Sequence, residues 1–289
     1  MTMIVKEGVV GYENISSRTR SPIAFSNLVK VSAVIITYNE EQNIANTLSQ
    51  LYWCDEIIIV DSNSTDNTIK ICKEFGCKIF YRDFEGYGAQ KQYAVSLAIN
   101  DWVLCIDADE VLTDNLVEEI TDNLRINTGV AGFAFRMNLV FLNKEFFHGK
   151  ESGRYFLRLF NKKAGNFTSD KVHEKIVVAG PIKKLHHIIK HYSYCSIQQL
   201  IEKHNRYSTY SADMAFNKGK KKSLFPVLFG LPYNFFKYYF LELNCLNGSK
   251  GFYWSAFSAY YHFSKYIKLR ELHQLNKRKR LLNKNYPFA

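Results

Sequence analysis

No CxxC pair occurs in these 289 residues, and the six cysteines (Cys54, Cys72, Cys77, Cys105, Cys195, Cys245) fall singly, several inside apolar runs. That pattern excludes a zinc ribbon and a disulfide scaffold, and it points to a reducing compartment. Missing too is a charged start followed by an apolar run and a small-residue cleavage site, so no secretory leader is expected. No stretch reaches the roughly 18 uninterrupted apolar residues of a spanning helix. The longest candidates, near 224–231 and 235–243, are interrupted by Pro226, Pro232 and Lys237, which argues against a transmembrane anchor. A GK[ST] ending is absent, excluding a Walker phosphate loop. Neither a zinc-finger nor an RNP signature is present to support nucleic-acid recognition. Internal repeats are lacking, and the one biased tract is the lysine run Lys218, Lys220, Lys221 and Lys222.

Acidic residues are scarce in one region only. Residues 200–289 hold 16 Lys and Arg against 4 Asp and Glu, whereas residues 1–199 hold 22 against 23. The net charge of +11 therefore resides in the last 90 residues, which also carry 21 of the 44 aromatics. Such a segment suits an anionic membrane surface, a nucleic acid or an acidic substrate. With 47% apolar residues the chain can bury a substantial core, as one large domain or one domain with an appendage.

Residues 1–30 are polar and irregular and read as an extension. Short β-branched runs then alternate with helical patterns: VSAVIITY (31–38), a helix over about 40–51, EIIIV (56–60), a helix over about 65–75, and CKIFY (77–81). A helix over about 88–99, the run WVLCI (102–106), a helix over 114–124 and two further strand-like runs at 129–143 and 153–162 follow. That alternation predicts an α/β fold, a mostly parallel sheet flanked by helices with right-handed crossovers. Ligands of such sheets gather beyond the carboxyl ends of the strands. Asn39, Asp61 and the acidic group Asp107 to Glu110 all fall there. From Ser196 onward the pattern turns helical and aromatic.

The acidic group raises an electrostatic question, since Asp107, Asp109 and Glu110 crowd three carboxylates into four residues after an apolar strand. A DxD at a strand end suits a divalent cation that also holds a diphosphate, because carboxylate oxygens are the hard ligands Mg²⁺ or Mn²⁺ prefers. The alternative is a turn whose acids cap the next helix, and capping is the expectation for Glu110. In GYGAQKQ, Gly86 and Gly88 allow close backbone approach and Lys91 can meet a phosphate, or else the stretch is a turn with a solvated lysine. Arg154 and Arg158 share a face if their segment is a strand. There they could clamp phosphate oxygens or stand as ordinary surface arginines. In KVHEK, Glu174 is either a solvated strand residue or a general base.

Taken together, VIITYNEEQNI (34–44), IIIVDSNSTDNT (57–68) and CIDADE (105–110) resemble the inverting nucleotide-sugar glycosyltransferases of family 2, which have the GT-A (Rossmann-like) fold. FEGYGAQKQYAVSLAINDWVLCIDADE (84–110) and RLFNKKAGNFTSDKVHEKI (158–176) are similar to the subgroup of lipopolysaccharide-core β-1,4-glucosyltransferases. The resemblance covers about residues 31–270 and is strongest before 176. It implies that Thr37, Tyr38, Glu40 and Asp61 line the nucleotide pocket, with Lys91 in the donor site. Asp107 and Asp109 become the DxD that holds a metal and the donor diphosphate. Glu174 becomes the catalytic base, with His173 orienting it or touching donor phosphate, and His191 a further metal ligand. Ser62 departs from the pattern, since many members carry a second aspartate there.

The C-terminal stretch 224–269 has too many aromatics for a solvated helix pair and too many breaks for a spanning one. Aromatics at the headgroup boundary, with Lys237, Lys265 and Lys268 reaching toward anionic lipid, fit segments lying in the interface plane. Packing of the same aromatics against the catalytic domain is the alternative. NKRKRLLNK (276–284) adds a polybasic cluster. The expectation is an extension (1–30), a GT-A catalytic domain (31–195) and a helical, basic, aromatic membrane-interfacial region (196–289). Its function would be transfer of a hexose, glucose from UDP-glucose first among them, to a membrane-associated glycan such as lipopolysaccharide core. It would use Mg²⁺ or Mn²⁺, sit peripherally on the cytoplasmic face, and have no nucleic-acid partner. The rivals are an enzyme with a polyprenyl-phosphate-linked acceptor and a non-catalytic sugar-nucleotide or nucleic-acid binding module.

Overall fold

A computed structural model describes residues 29–126, 129–168, 174–194, 196–221, 223 and 225–285, with 226 and 280–285 described by backbone alone. Most of the expected 1–30 extension, His173 and Cys195 lie outside the described residues. The first elements follow the expected alternation: β1 (Val31–Thr37), α1 (Ile44–Ser49), β2 (Glu56–Asp61), α2 (Thr68–Glu74), β3 (Lys78–Tyr81), α3 (Tyr87–Leu97) and β4 (Trp102–Cys105). After them come β5 (Glu110–Leu112), α4 (Asp114–Arg125), β6 (Gly132–Phe141), β7 (Lys144–Glu145), β8 (Ser152–Asn161), β9 (Gly165–Phe167), β10 (Ile176–Val178) and β11 (Ile182–Tyr194). The C-terminal region is helical: α5 (Ile197–Asn217), α6 (Phe225–Leu228), α7 (Gly230–Phe236), a π-helical turn (Lys237–Leu241), a 3-10 turn (Asn244–Asn247) and α8 (Ser249–Asn285).

The main sheet runs β3-β2-β1-β4-β8-β6-β11-β5, with β7 on β6 and a separate β9–β10 ribbon. Strands β3, β2, β1 and β4 are mutually parallel. Beyond them β8 is antiparallel to both β4 and β6, β11 is parallel to β6, and β5 is antiparallel to β11. The chain walks outward from β1 to β3 and then returns to place β4 on β1's other side. In open sheets such a reversal marks where ligands bind, beyond the carboxyl ends of the strands on either side of it, here β1 and β4.

Strand alternation explains how both sheet faces are covered. Val31, Ala33 and Ile35 pack with Ile44 and Leu48 of α1 and Leu116 and Ile120 of α4. Val34, one step out of phase, packs on the opposite face with Ala94 and Val95 of α3 and Phe167 of the ribbon. Strands buried on both sides read as nearly continuous apolar runs, which is why VSAVIIT and EIIIV are legible as parallel strands. A third cluster, Leu139, Phe141, Phe146, Leu200 and Trp254, joins the far end of the sheet to α5 and α8.

One local expectation is corrected. Glu110 does not cap α4: it opens β5, lies 1% exposed, and pairs across the sheet with His191. The cap is Thr113, whose hydroxyl accepts the Leu116 amide.

Candidate active site

Two loops interlock over the ends of β1 and β2. Asn39, at φ 55°, accepts the Thr65 amide on its side-chain oxygen at 2.8 Å. Its own amide donates to the Ser64 hydroxyl at 2.9 Å. Asn tolerates the left-handed region better than other side chains. The Glu40 amide donates to the Thr68 hydroxyl and the Asn67 amide to the Glu41 carboxylate. Asp61 is fully buried and anchors this arrangement by accepting from the Thr37 hydroxyl at 2.9 Å and from the Ser64 amide at 2.8 Å and hydroxyl. Tyr38 is 57% exposed at the mouth. Burial pushes Glu40 up to about 7, against its bond from Asn43 and with help from the nearby Asp109 charge.

Beyond β4 the acids meet their counter-charges. Lys91, 4% exposed on α3, lies 2.8 Å from one Asp107 oxygen and donates to Glu174 at 3.0 Å. A buried ammonium is costly unless paired, and here two carboxylates compensate it. Arg158 donates to the other Asp107 oxygen at 3.0 Å and to Glu110. A bulge delivers it: Leu157 faces Ala134 and Leu159 faces Phe133, so Arg158 is the extra residue between them. Burial alone would raise Asp107, but Lys91 and Arg158 hold it well below the usual carboxylate range. Glu110 moves the other way, raised by burial.

Asp109 faces β11. Its carboxylate lies 3.2 Å from His191 Nε2, and its backbone carbonyl accepts the Tyr192 amide at 2.8 Å. Burial opposes ionisation of His191, yet Asp109 raises it to about 9. Among the described residues no three His, Cys, Asp or Glu side chains already converge as a ligand set. The Asp109–His191 pair nevertheless fits a divalent ion. Two ligands at right angles on an ion with bonds of about 2.1 Å stand about 3 Å apart, and such an ion commonly takes its remaining ligands from water and substrate phosphates.

The residues singled out in the sequence thus fall into three groups. Thr37 and Asp61 form the floor, with Tyr38 and Glu40 above it. Lys91, Asp107, Arg158 and Glu174 make one ion-paired cluster, continuous through Glu110 with Asp109 and His191. Arg154 sits apart, exposed further along β8, and shares the Phe156 ring with Arg158 at 5.2 and 5.7 Å from its centroid. The sequence reading expected helix from Ser196 onward but missed that α5 brings Lys203 and Tyr207 to the same mouth. Tyr207 reaches the Tyr87 hydroxyl at 3.1 Å, and the Lys203 charge acts on both Glu40 and Asp109. Their i, i+4 spacing was the available signal.

Comparison with known proteins gives the family. The family model described as glycosyl transferase family 2 matches residues 32–182. An uncharacterized glycosyltransferase of Rickettsia typhi is 35% identical over 273 residues, spanning 89% of this chain and 92% of that one. The lipopolysaccharide core biosynthesis glycosyltransferase LpsC of Rhizobium meliloti is 30% identical over 255 residues, spanning 86% and 94%. Among solved structures, S. aureus TarS 1–349 is similar over 63% of this chain and 65% of that one, at 14% identity and a TM-score of 0.40. Glucosyl-3-phosphoglycerate synthase from Mycobacterium tuberculosis, solved with Mn²⁺, UDP and glucosyl-3-phosphoglycerate, is similar over 38% and 44%, at 22% identity and a TM-score of 0.33.

Proposed function

The chain belongs to glycosyl transferase family 2, and from that premise we propose an inverting, metal-assisted hexosyltransferase using a nucleotide-diphosphate sugar, UDP-glucose first among them. The observation that carries the reading is the paired acid cluster at the sheet's reversal point. Asp107 and Glu174 share Lys91, while Asp109 stands against His191. Asp109 and His191, with Asp107, would hold the ion. That ion would supply positive charge for the leaving diphosphate, an electrostatic stabilisation of the transition state.

The chain's own side chains do the rest. Thr37, Tyr38, Glu40 and Asp61 shape the nucleotide end, Asp61 by fixing the loop through Ser64. Lys91 and Arg158 are already spaced around Asp107, and donor phosphate would offer Lys91 a new partner and release Glu174. Glu174 then takes the proton of the attacking hydroxyl as the new glycosidic bond forms and the bond to diphosphate breaks. Attack opposite the leaving group gives a β-linked product from an α-linked donor. Arg154, exposed further along β8, would be left for an acidic group of the acceptor.

The acceptor is proposed to be a membrane-associated glycan of the lipopolysaccharide-core kind, in line with the likeness to LpsC. The catalytic domain would span 31–195, with 196–289 as the membrane-facing region. No helix among the described residues is long and apolar enough to cross a membrane. Yet Phe225, Phe229, Tyr233, Phe236, Phe240 and Leu241 are between 49% and 66% exposed. Exposed apolar surface in such quantity marks an interaction face, and exposed lysines precede it in the chain at 218, 220 and 221. A peripheral seat on the cytoplasmic face follows from this reading.

The test is a panel of nucleotide sugars with Mn²⁺ and purified full-length protein, reading released nucleotide. UDP release from one UDP-sugar, lost in Asp109→Ala, is the expected result, and full activity in that variant would remove the metal role. Glu174→Gln should bind donor normally and transfer at least about a hundredfold more slowly.

A further inference from the structure

Helix α5 crosses the mouth of the site rather than merely following the catalytic domain. Gln199, Lys203 and Tyr207, spaced four residues apart, form one stripe along it. Each meets a different part of the crevice. Gln199 donates to Gln42 beyond β1 at 3.0 Å, the Lys203 ammonium lies 5.0 Å from the Tyr194 ring beside Asp109, and the Tyr207 hydroxyl meets Tyr87 at the start of α3 at 3.1 Å. The opposite face of α5 is held by α8. Lys268 donates to the Asn205 carbonyl and the Ser208 and Thr209 hydroxyls, each at 2.8 Å, and Ser211 pairs with Tyr261 at 2.8 Å. The stripe is therefore fixed across the crevice from both sides.

Among the described residues, the cations below the stripe are neutralised. Lys91 and Arg158 are ion-paired with Asp107, Glu110 and Glu174, whereas Lys203 has no carboxylate partner of that kind. Its contact is the face of Tyr194, which attracts an ammonium without cancelling its charge. Resting on the donor-site reading above, we propose that Lys203 is a second phosphate-binding cation of that site, in addition to Lys91. It would grip the nucleoside diphosphate from α5, the helix that the Gln199–Gln42 and Tyr207–Tyr87 contacts hold against the catalytic domain. A point charge on a flexible stem suits phosphate oxygens that shift as the bond to the sugar breaks.

The experiment compares wild type, Lys203→Met and Lys203→Arg by calorimetry with Mn²⁺ present, titrating UDP and, separately, uridine. Lys203→Met should bind UDP about tenfold or more weakly while keeping its uridine affinity, because a charged phosphate contact is lost and the base contacts are not. Lys203→Arg should recover most of the loss, and UDP binding to Lys203→Met should fall less steeply with salt. Wild-type UDP affinity in a folded Lys203→Met protein overturns the inference and leaves the donor-site reading standing. So does equal weakening of UDP and uridine, which would mark a purely structural lysine. If wild type binds none of UDP, GDP or ADP, the donor-site reading falls and the inference with it.

Discussion

Asp107 shows how a single side chain can hold a crowded site together, since each of its oxygens has its own cation, Lys91 on one and Arg158 on the other. Glu110 completes the arrangement from inside. Arg158, with its side chain 12% exposed, would otherwise be a buried guanidinium short of negative charge. Removing one partner of a buried pair costs about 3–5 kcal/mol, and the lower end applies here because Arg158 keeps Asp107 at 3.0 Å. Glu110→Ala should therefore lower unfolding stability by about 3 kcal/mol in urea titrations, and Glu110→Gln, which keeps an acceptor for Arg158, by less. His191 makes a second prediction. Its folded value near 9 lies above the ordinary 6.5, so it is protonated at neutral pH and paired with Asp109. In the metal-free protein that pairing is fully stabilising below about 6.5 and fades as pH rises through about 9, so the melting temperature should decline across that window. Metal uptake must displace the proton. Apparent Mn²⁺ affinity should thus rise with pH up to about 9, with proton release visible as buffer-dependent heats in calorimetry.

Elements differ in how plainly they are written. Strands β1, β2 and β4 were legible because burial on both faces makes them unbroken apolar runs, and α4 because its apolar positions recur at helical spacing. β5 was hidden: three residues long, it begins on a buried Glu110 that reads as a solvated acid or a cap. β11 was hidden differently, since Lys183, Lys184, His186, His187 and Lys190 make it look like surface. It is partly an exposed sheet edge, and Glu119 accepts the amides of His186 and His187 there at 2.9 to 3.0 Å in place of a neighbouring strand. The site was legible where its residues sit in local motifs, as with Asp107, Asp109 and Glu174. It was not where a distant helix reaches the same mouth, as α5 does with Tyr207 against Tyr87. The apolar join between the sheet and the C-terminal helices is an aromatic cluster, with the Trp254 ring 5.4 Å from Phe141, 5.8 Å from Tyr194 and 6.4 Å from Phe146. Emptying its centre with Trp254→Ala should cost about 3–5 kcal/mol. It should also open 197–285 to limited proteolysis before the sheet core is cut, because α5 and α8 lean on that cluster while β1 to β4 do not.

At the scale of the whole molecule, charge and apolar exposure divide the chain along the same line. The part carrying the acid cluster is nearly neutral, whereas residues 200–289 hold 16 cations against 4 anions together with the exposed aromatics. A purely intramolecular role for those aromatics would bury them. Some are buried, as Trp254 is at 9% exposure, but Phe225 and Tyr233 stand 66% and 64% exposed. Ring pairs such as Phe225–Phe229 at 4.6 Å and Phe236–Phe240 at 5.2 Å gather the exposed rings into patches along the helices. The proposed anionic bilayer would answer both features at once, drawing the lysines electrostatically and accepting the rings at the headgroup boundary. The two contributions separate by salt. Full-length protein should co-sediment with vesicles containing phosphatidylglycerol and much less with pure phosphatidylcholine. Replacing Lys218, Lys220 and Lys221 with Gln should weaken partitioning by up to about a hundredfold at low salt, at about 1 kcal/mol per charge, and by little at high salt, where screening has already removed the attraction. Replacing Phe229 and Phe240 with Ser should weaken it at both. Equal partitioning of the phenylalanine variant and wild type would mean that the exposed rings face another protein, and the acceptor would then have to reach the crevice without the bilayer's help.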